Sequence, residues 1–166
     1  MSKRALYKNP SIETQGDFSN NQIEQILNHE LPIYVLEKTV KEGCFSSIGE
    51  ARIASKEWLK FVVLSLEHPH SRIGMWSDLV DEIWHAYLLH THDYFAFSKN
   101  VLGIEYYHHR PQIFDENGVS NMPQDKGSKF RSLYAKKFGK LHPIWDTKTN
   151  NKSYCEEDES DVCSHN

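Results

Sequence analysis

The stretch SDLVDEIWHAYLLHTHDYFAFSKN, residues 77–100, decides the fold. At 100° per residue, Val80, Ile83, Trp84, Tyr87, Leu88, Thr91, Tyr94 and Phe95 fall on one broad apolar face. Ser77 is placed to cap the N-terminus, and Asp78 and Asp81 lie in the first turn, where the helix dipole favours acids. The spacing predicts one continuous helix over residues 78–100, with Gly103 following its end.

Working upstream, Ser47-Ile-Gly-Glu50 has the pattern of a capping box. Ala51, Ala54, Trp58, Phe61, Val62 and Ser65 then recur at helical spacing. This helix ends near His68-Pro69, because a residue before proline disfavours the helical region. Earlier still, Asn21-Gln-Ile-Glu24 reads as the start of a first helix, with Ile23, Ile26 and Leu27 as its stripe. Pro32 separates that helix from a second piece, Ile33 to Glu42, which runs to Gly43 at the left-handed position past a helix end.

Downstream, residues 104–126 contain Pro111, Gly118 and Pro123 and read as an irregular connection. A last helix over residues 128–138 carries Phe130, Leu133, Tyr134 and Phe138 and stops at Gly139. Trp145 is expected to pin the end of the domain to the body. The fold class is therefore all-α, an irregular bundle of about five helices with a long irregular connection before the last. Residues 1–19 read as a flexible arm, 20–146 as the helical domain and 147–166 as a disordered acidic tail.

The hydrophobic fraction, 39%, lies below the ~45–50% of an average domain, and the deficit sits mainly at the two ends. A net charge of −4 gives no electrostatic footprint for nucleic acid, so none is expected as a partner. No stretch approaches the ~20 apolar residues of a membrane span, and the N-terminus lacks the apolar run of a signal peptide. Cys44, Cys155 and Cys163 form neither a disulfide framework nor a CxxC zinc motif. These features point to a cytoplasmic protein.

Seven of the ten histidines lie between positions 68 and 109. Asp81 and His85 are one helical turn apart and share a side. His92 falls on the same stripe but about 10.5 Å along the axis from His85, too far to share an ion, and His90 points to the opposite flank. A metal site would use Asp81 and His85, with His108 or His109 supplied if the following segment folds back. Imidazole nitrogens plus a carboxylate suit a divalent transition metal such as zinc or iron. The bland alternative is a helix-surface Asp81–His85 pair.

Other candidates read as structural. Cys44 follows a helix end without positive surroundings and reads as a small core residue. Glu50, Glu57 and Glu67 are explained by a solvated helix face. Lys126, Lys129, Arg131, Lys136, Lys137 and Lys140 read likewise, despite the interleaved Phe130, Tyr134 and Phe138.

Several pieces resemble the glycine-rich-domain-containing-protein-like family, a helical domain of small bacterial proteins that also occurs in plant glycine-rich domain proteins. They are Ser77…Val80-Asp81-Glu82-Ile83-Trp84-His85, Leu88…Thr91…Tyr94…Phe97, Leu102-Gly103, His108-His109…Pro111, Tyr134…Phe138-Gly139…Pro143-Ile144-Trp145 and Glu57-Trp58-Leu59-Lys60-Phe61. The family has a cysteine where this chain has Ser98, and its glycine-rich region is absent here. The resemblance implies a helical domain without an assigned reaction, in which His85, His108 and His109 act together.

The expected function is a non-catalytic interaction module for a protein partner, with a histidine-rich polar pocket. The alternative is a metal-dependent or histidine-based enzyme centred on Asp81, His85, His108 and His109.

Overall fold

The computed structural model describes residues 19–109, 115–119, 123–125 and 127–146. Residues 1–18 of the expected arm and the whole expected tail, with Cys155 and Cys163, lie outside these. Among the described residues there are six α-helices and no strand. They are α1 (Asn20–Asn28), α2 (Ile33–Lys41), α3 (Ile48–Glu67), α4 (Asp78–Leu89), α5 (Thr91–Asn100) and α6 (Ser128–Phe138), followed by a 3₁₀ turn at Pro143–Trp145. None is long and apolar enough to cross a membrane.

The axis of the domain is α3. Ala51, Ala54, Trp58, Leu59, Phe61, Val62, Val63 and Leu64 are all buried, so this helix is covered on most of its circumference. It packs against α1, α2, α4 and α6. The Ser47 hydroxyl accepts from the Glu50 N–H at 3.2 Å, as the capping box requires, while the Glu50 carboxylate reaches back one residue further, to the Ser46 N–H at 2.9 Å.

The end of α2 follows the expectation. Gly43 adopts φ +80°, its N–H donates to the Val40 carbonyl, and the Cys44 N–H donates to the Thr39 carbonyl. This is the Schellman arrangement, which a Cβ at that φ would strain. The start of α1 departs slightly. Its cap is Ser19, whose hydroxyl accepts from the Gln22 N–H, rather than Asn21.

The largest correction concerns residues 77–100. Ser77 caps α4 as expected, its hydroxyl accepting from the Val80 N–H at 3.3 Å. The helix then breaks at His90, where the backbone takes φ −95° and ψ +67°, and α5 starts afresh at Thr91. The count therefore rises from about five helices to six. The break serves a tertiary contact. Trp84 and Tyr94 are ten residues apart, about 15 Å along the axis of an unbroken helix. Across the bend their side chains meet, the Trp84 indole N–H donating to the Tyr94 hydroxyl at 2.8 Å. Phe95 loses its place on the apolar face and is 51% exposed.

The C-terminal part docks on α3 through a buried polar centre that overturns the solvated reading of Glu57. Glu57 is 3% exposed. Its Oε2 accepts from the Tyr134 hydroxyl and from the Trp145 indole N–H, each at 2.8 Å, and its Oε1 pairs with Lys60 Nζ at 2.7 Å. Trp145 is buried against Phe130 and Phe61, as its expected pinning role demands. Three other side chains from the supposed solvated faces also have partners: Lys137 pairs with Glu67, and Arg131 with Asp146.

Candidate metal centre

Helix α4 presents Asp81 and His85 from successive turns, and the segment after α5 returns over it carrying His109. Each oxygen of the Asp81 carboxylate faces one imidazole. His109 Nε2 lies 3.1 Å from Oδ1, and His85 Nε2 lies 3.4 Å from Oδ2. The two rings are 4.7 Å apart between centroids. One ligand atom from each of the three residues falls within 4.8 Å of the other two.

The four expected ligands thus separate into three and one. His108 is exposed and packs its ring on Tyr106 at 4.8 Å, outside the cluster. Burial alternates along this stretch: Tyr107 is buried, His108 exposed and His109 largely covered. Tyr107 stacks on Trp84 of α4, and His109 lies on the same side against Trp84 and Asp81, while His108 does not. The side chain of His92 is 97% exposed, and His90 Nδ1 lies 2.8 Å from the Ala86 carbonyl oxygen, so neither joins the group.

The approach of His109 depends on Tyr107 and on polar contacts of Tyr94, Ser98 and Ser65 that helical spacing alone does not foretell. The Tyr94 hydroxyl donates to the Tyr107 carbonyl at 2.6 Å. The Ser98 hydroxyl accepts from the Tyr107 N–H at 3.3 Å and donates to the Tyr94 carbonyl at 3.0 Å. The Tyr107 and Ser65 hydroxyls share a 2.5 Å hydrogen bond. Burial pushes the Tyr94 and Tyr107 phenols well above their ordinary range, so both stay neutral donors. The His109 ring sits edge-on to Trp84 at 4.4 Å.

Glu82 follows Asp81 on α4 and is partly buried. Burial raises its pKa above the ordinary carboxylate value, which His85 partly offsets and Asp81 reinforces. Cys44 is partly buried at the edge of the core, not within it as expected, with Sγ 4.0 Å from Glu82 Oε2.

The spacing can be compared with what one ion requires. Tetrahedral bonds of about 2.0–2.1 Å place ligand atoms roughly 3.3 Å apart. The two nitrogen–oxygen separations, 3.1 and 3.4 Å, lie near that value but run to different oxygens of Asp81, and the shorter is an ordinary hydrogen bond between His109 and the carboxylate. The longer one exceeds the ~2.7–3.2 Å of an ordinary N–H···O bond. The side chains of His85, Asp81 and His109 are 47%, 28% and 16% exposed, so the cluster faces solvent on the His85 side. A shallow groove of about 650 Å³ beside α5 is lined by His92, Phe95, Lys99 and Ile104, and none of the three clustered residues borders it.

No curated protein and no solved structure matches the chain. One family, described as UCP032817-like, matches residues 21–136. That match covers well over half of the chain, runs from α1 into α6 and includes all three clustered side chains, so the protein belongs to the UCP032817-like family.

Proposed function

We propose that the chain binds one divalent transition metal, zinc or iron, through Asp81, His85 and His109, and that it is a metal-dependent enzyme. The observation that carries this reading is the convergence of two imidazoles on one carboxylate, with a ligand atom of each residue within 4.8 Å of the other two. Structural zinc sites take four protein ligands, usually including cysteine, whereas catalytic sites take three and keep a position open. Three ligands with a solvent-facing histidine match the catalytic type. Bound in such a site, the ion supplies Lewis acidity toward a water or a carbonyl oxygen.

The interaction-module reading has its own support. Leu89 is 70% exposed and precedes His90, whose ring packs on Tyr34, itself 44% exposed, beside Ile33 at 48%. On that reading Asp81 ties the returning segment to α4 through His109 alone, and no metal is needed.

Elemental analysis of protein purified without a histidine tag separates the two. The enzyme reading predicts about one equivalent of zinc or iron per chain. It also predicts that His85→Ala and His109→Ala each abolish retention while the far-ultraviolet helical signal persists, since neither ring carries the core. Metal-free protein that takes up none on titration, or a His85→Ala variant that retains it, contradicts the enzyme reading.

A further inference from the structure

We propose that Tyr94 is a positioning residue that holds the third metal ligand, His109, over α4 before any ion arrives. The inference rests on the metal reading above and extends it to the residues that set affinity. Asp81 and His85 share one helix, so their relative placement follows from helix geometry. His109 comes from a segment without regular structure, and its placement needs another cause.

That cause is the backbone of Tyr107, two residues earlier. Its carbonyl is held by the Tyr94 hydroxyl at 2.6 Å and its N–H by the Ser98 hydroxyl at 3.3 Å. Both holding side chains belong to α5 and both are 0% exposed. Tyr94 is in turn fixed by the Trp84 indole N–H at 2.8 Å, and Trp84 belongs to α4 between Asp81 and His85. The chain of contacts therefore starts on the helix that bears two ligands and ends on the peptide that delivers the third. Ser98 adds a second clamp by bonding both Tyr107 and the Tyr94 carbonyl. An ion arriving at a site held this way meets its third ligand already in place, so little ordering opposes binding. Tyr94 touches no ligand atom and acts only through the Tyr107 peptide.

The test measures zinc affinity by competition with a chromogenic chelator in four proteins: wild type, Tyr94→Phe, Ser98→Ala and Ile26→Val. Ile26 is buried in α1, makes none of the hydrogen bonds that hold Tyr107, and serves as a control for general loss of stability. Outer-shell groups of metal sites set affinity by roughly 10–100-fold, and a loss of that size is expected for Tyr94→Phe. Ser98→Ala should weaken binding in the same direction, and Ile26→Val should leave it unchanged. Should Tyr94→Phe fail to fold, weakened binding by folded Ser98→Ala supports the inference and wild-type affinity overturns it. Wild-type affinity in both α5 variants, or an equal loss in Ile26→Val, also overturns it while the metal reading stands. A wild-type chain that binds no zinc or iron removes the metal reading and this inference with it.

Discussion

Replacing Trp84 with alanine is expected to lower stability by about 3–5 kcal/mol, the usual cost of truncating a buried tryptophan. The ring is 5% exposed and lies among Trp58, Phe61 and Tyr107, with centroids 6.1, 5.8 and 5.2 Å away. Its loss opens a cavity between α3 and α4 and removes the N–H that holds Tyr94. Trp84→Phe keeps much of the apolar volume and loses only the hydrogen bond, so it should cost clearly less. Urea unfolding read at both variants measures the two values. A loss below about 1 kcal/mol for Trp84→Ala would mean that this helix face is not the one turned inward.

The second large effect is expected at Glu57. Glu57→Ala should cost about 3–5 kcal/mol, as removing one partner of a buried pair does. Tyr134 and Trp145 would lose their acceptor, and Lys60 would keep only the Tyr134 hydroxyl. The bonds to Glu57 and Tyr134 raise the Lys60 pKa against the effect of burial, so removing Glu57 leaves a partly buried ammonium without its counter-charge. Because Glu57 anchors Trp145, the variant should also shift tryptophan emission toward that of exposed indole. Unfolding curves within about 1 kcal/mol of wild type would show that the carboxylate is dispensable.

These two residues mark where sequence patterns inform and where they stop. Trp84 is legible because its neighbours recur at helical spacing. The caps at Ser47 and Ser77 and the stop at Gly43 are legible because each is a local backbone requirement. Glu57 is not, since its partners Tyr134 and Trp145 lie 77 and 88 residues away. Only Lys60, one turn on, hinted at a paired carboxylate. The break at His90 carries no proline or glycine at the break itself, and the contact that exploits it joins Trp84 to Tyr94 across the bend.

Asp81 and His85 could be paired from helix geometry alone, but the choice between His108 and His109 could not. It depends on which way Tyr107 faces, and that is set by Tyr94, Ser98 and Ser65 from two other helices.

On the proposed function, two imidazoles and one carboxylate hold a single ion. X-ray absorption at the zinc edge of the zinc-loaded, untagged protein reads that shell. The expected spectrum has a first shell of nitrogen and oxygen at about 2.0–2.1 Å, outer-shell scattering from two imidazoles, and loss of one imidazole contribution in any His109→Ala protein that can still be loaded. A first shell containing sulfur near 2.3 Å, or a protein that retains no zinc to measure, would contradict it.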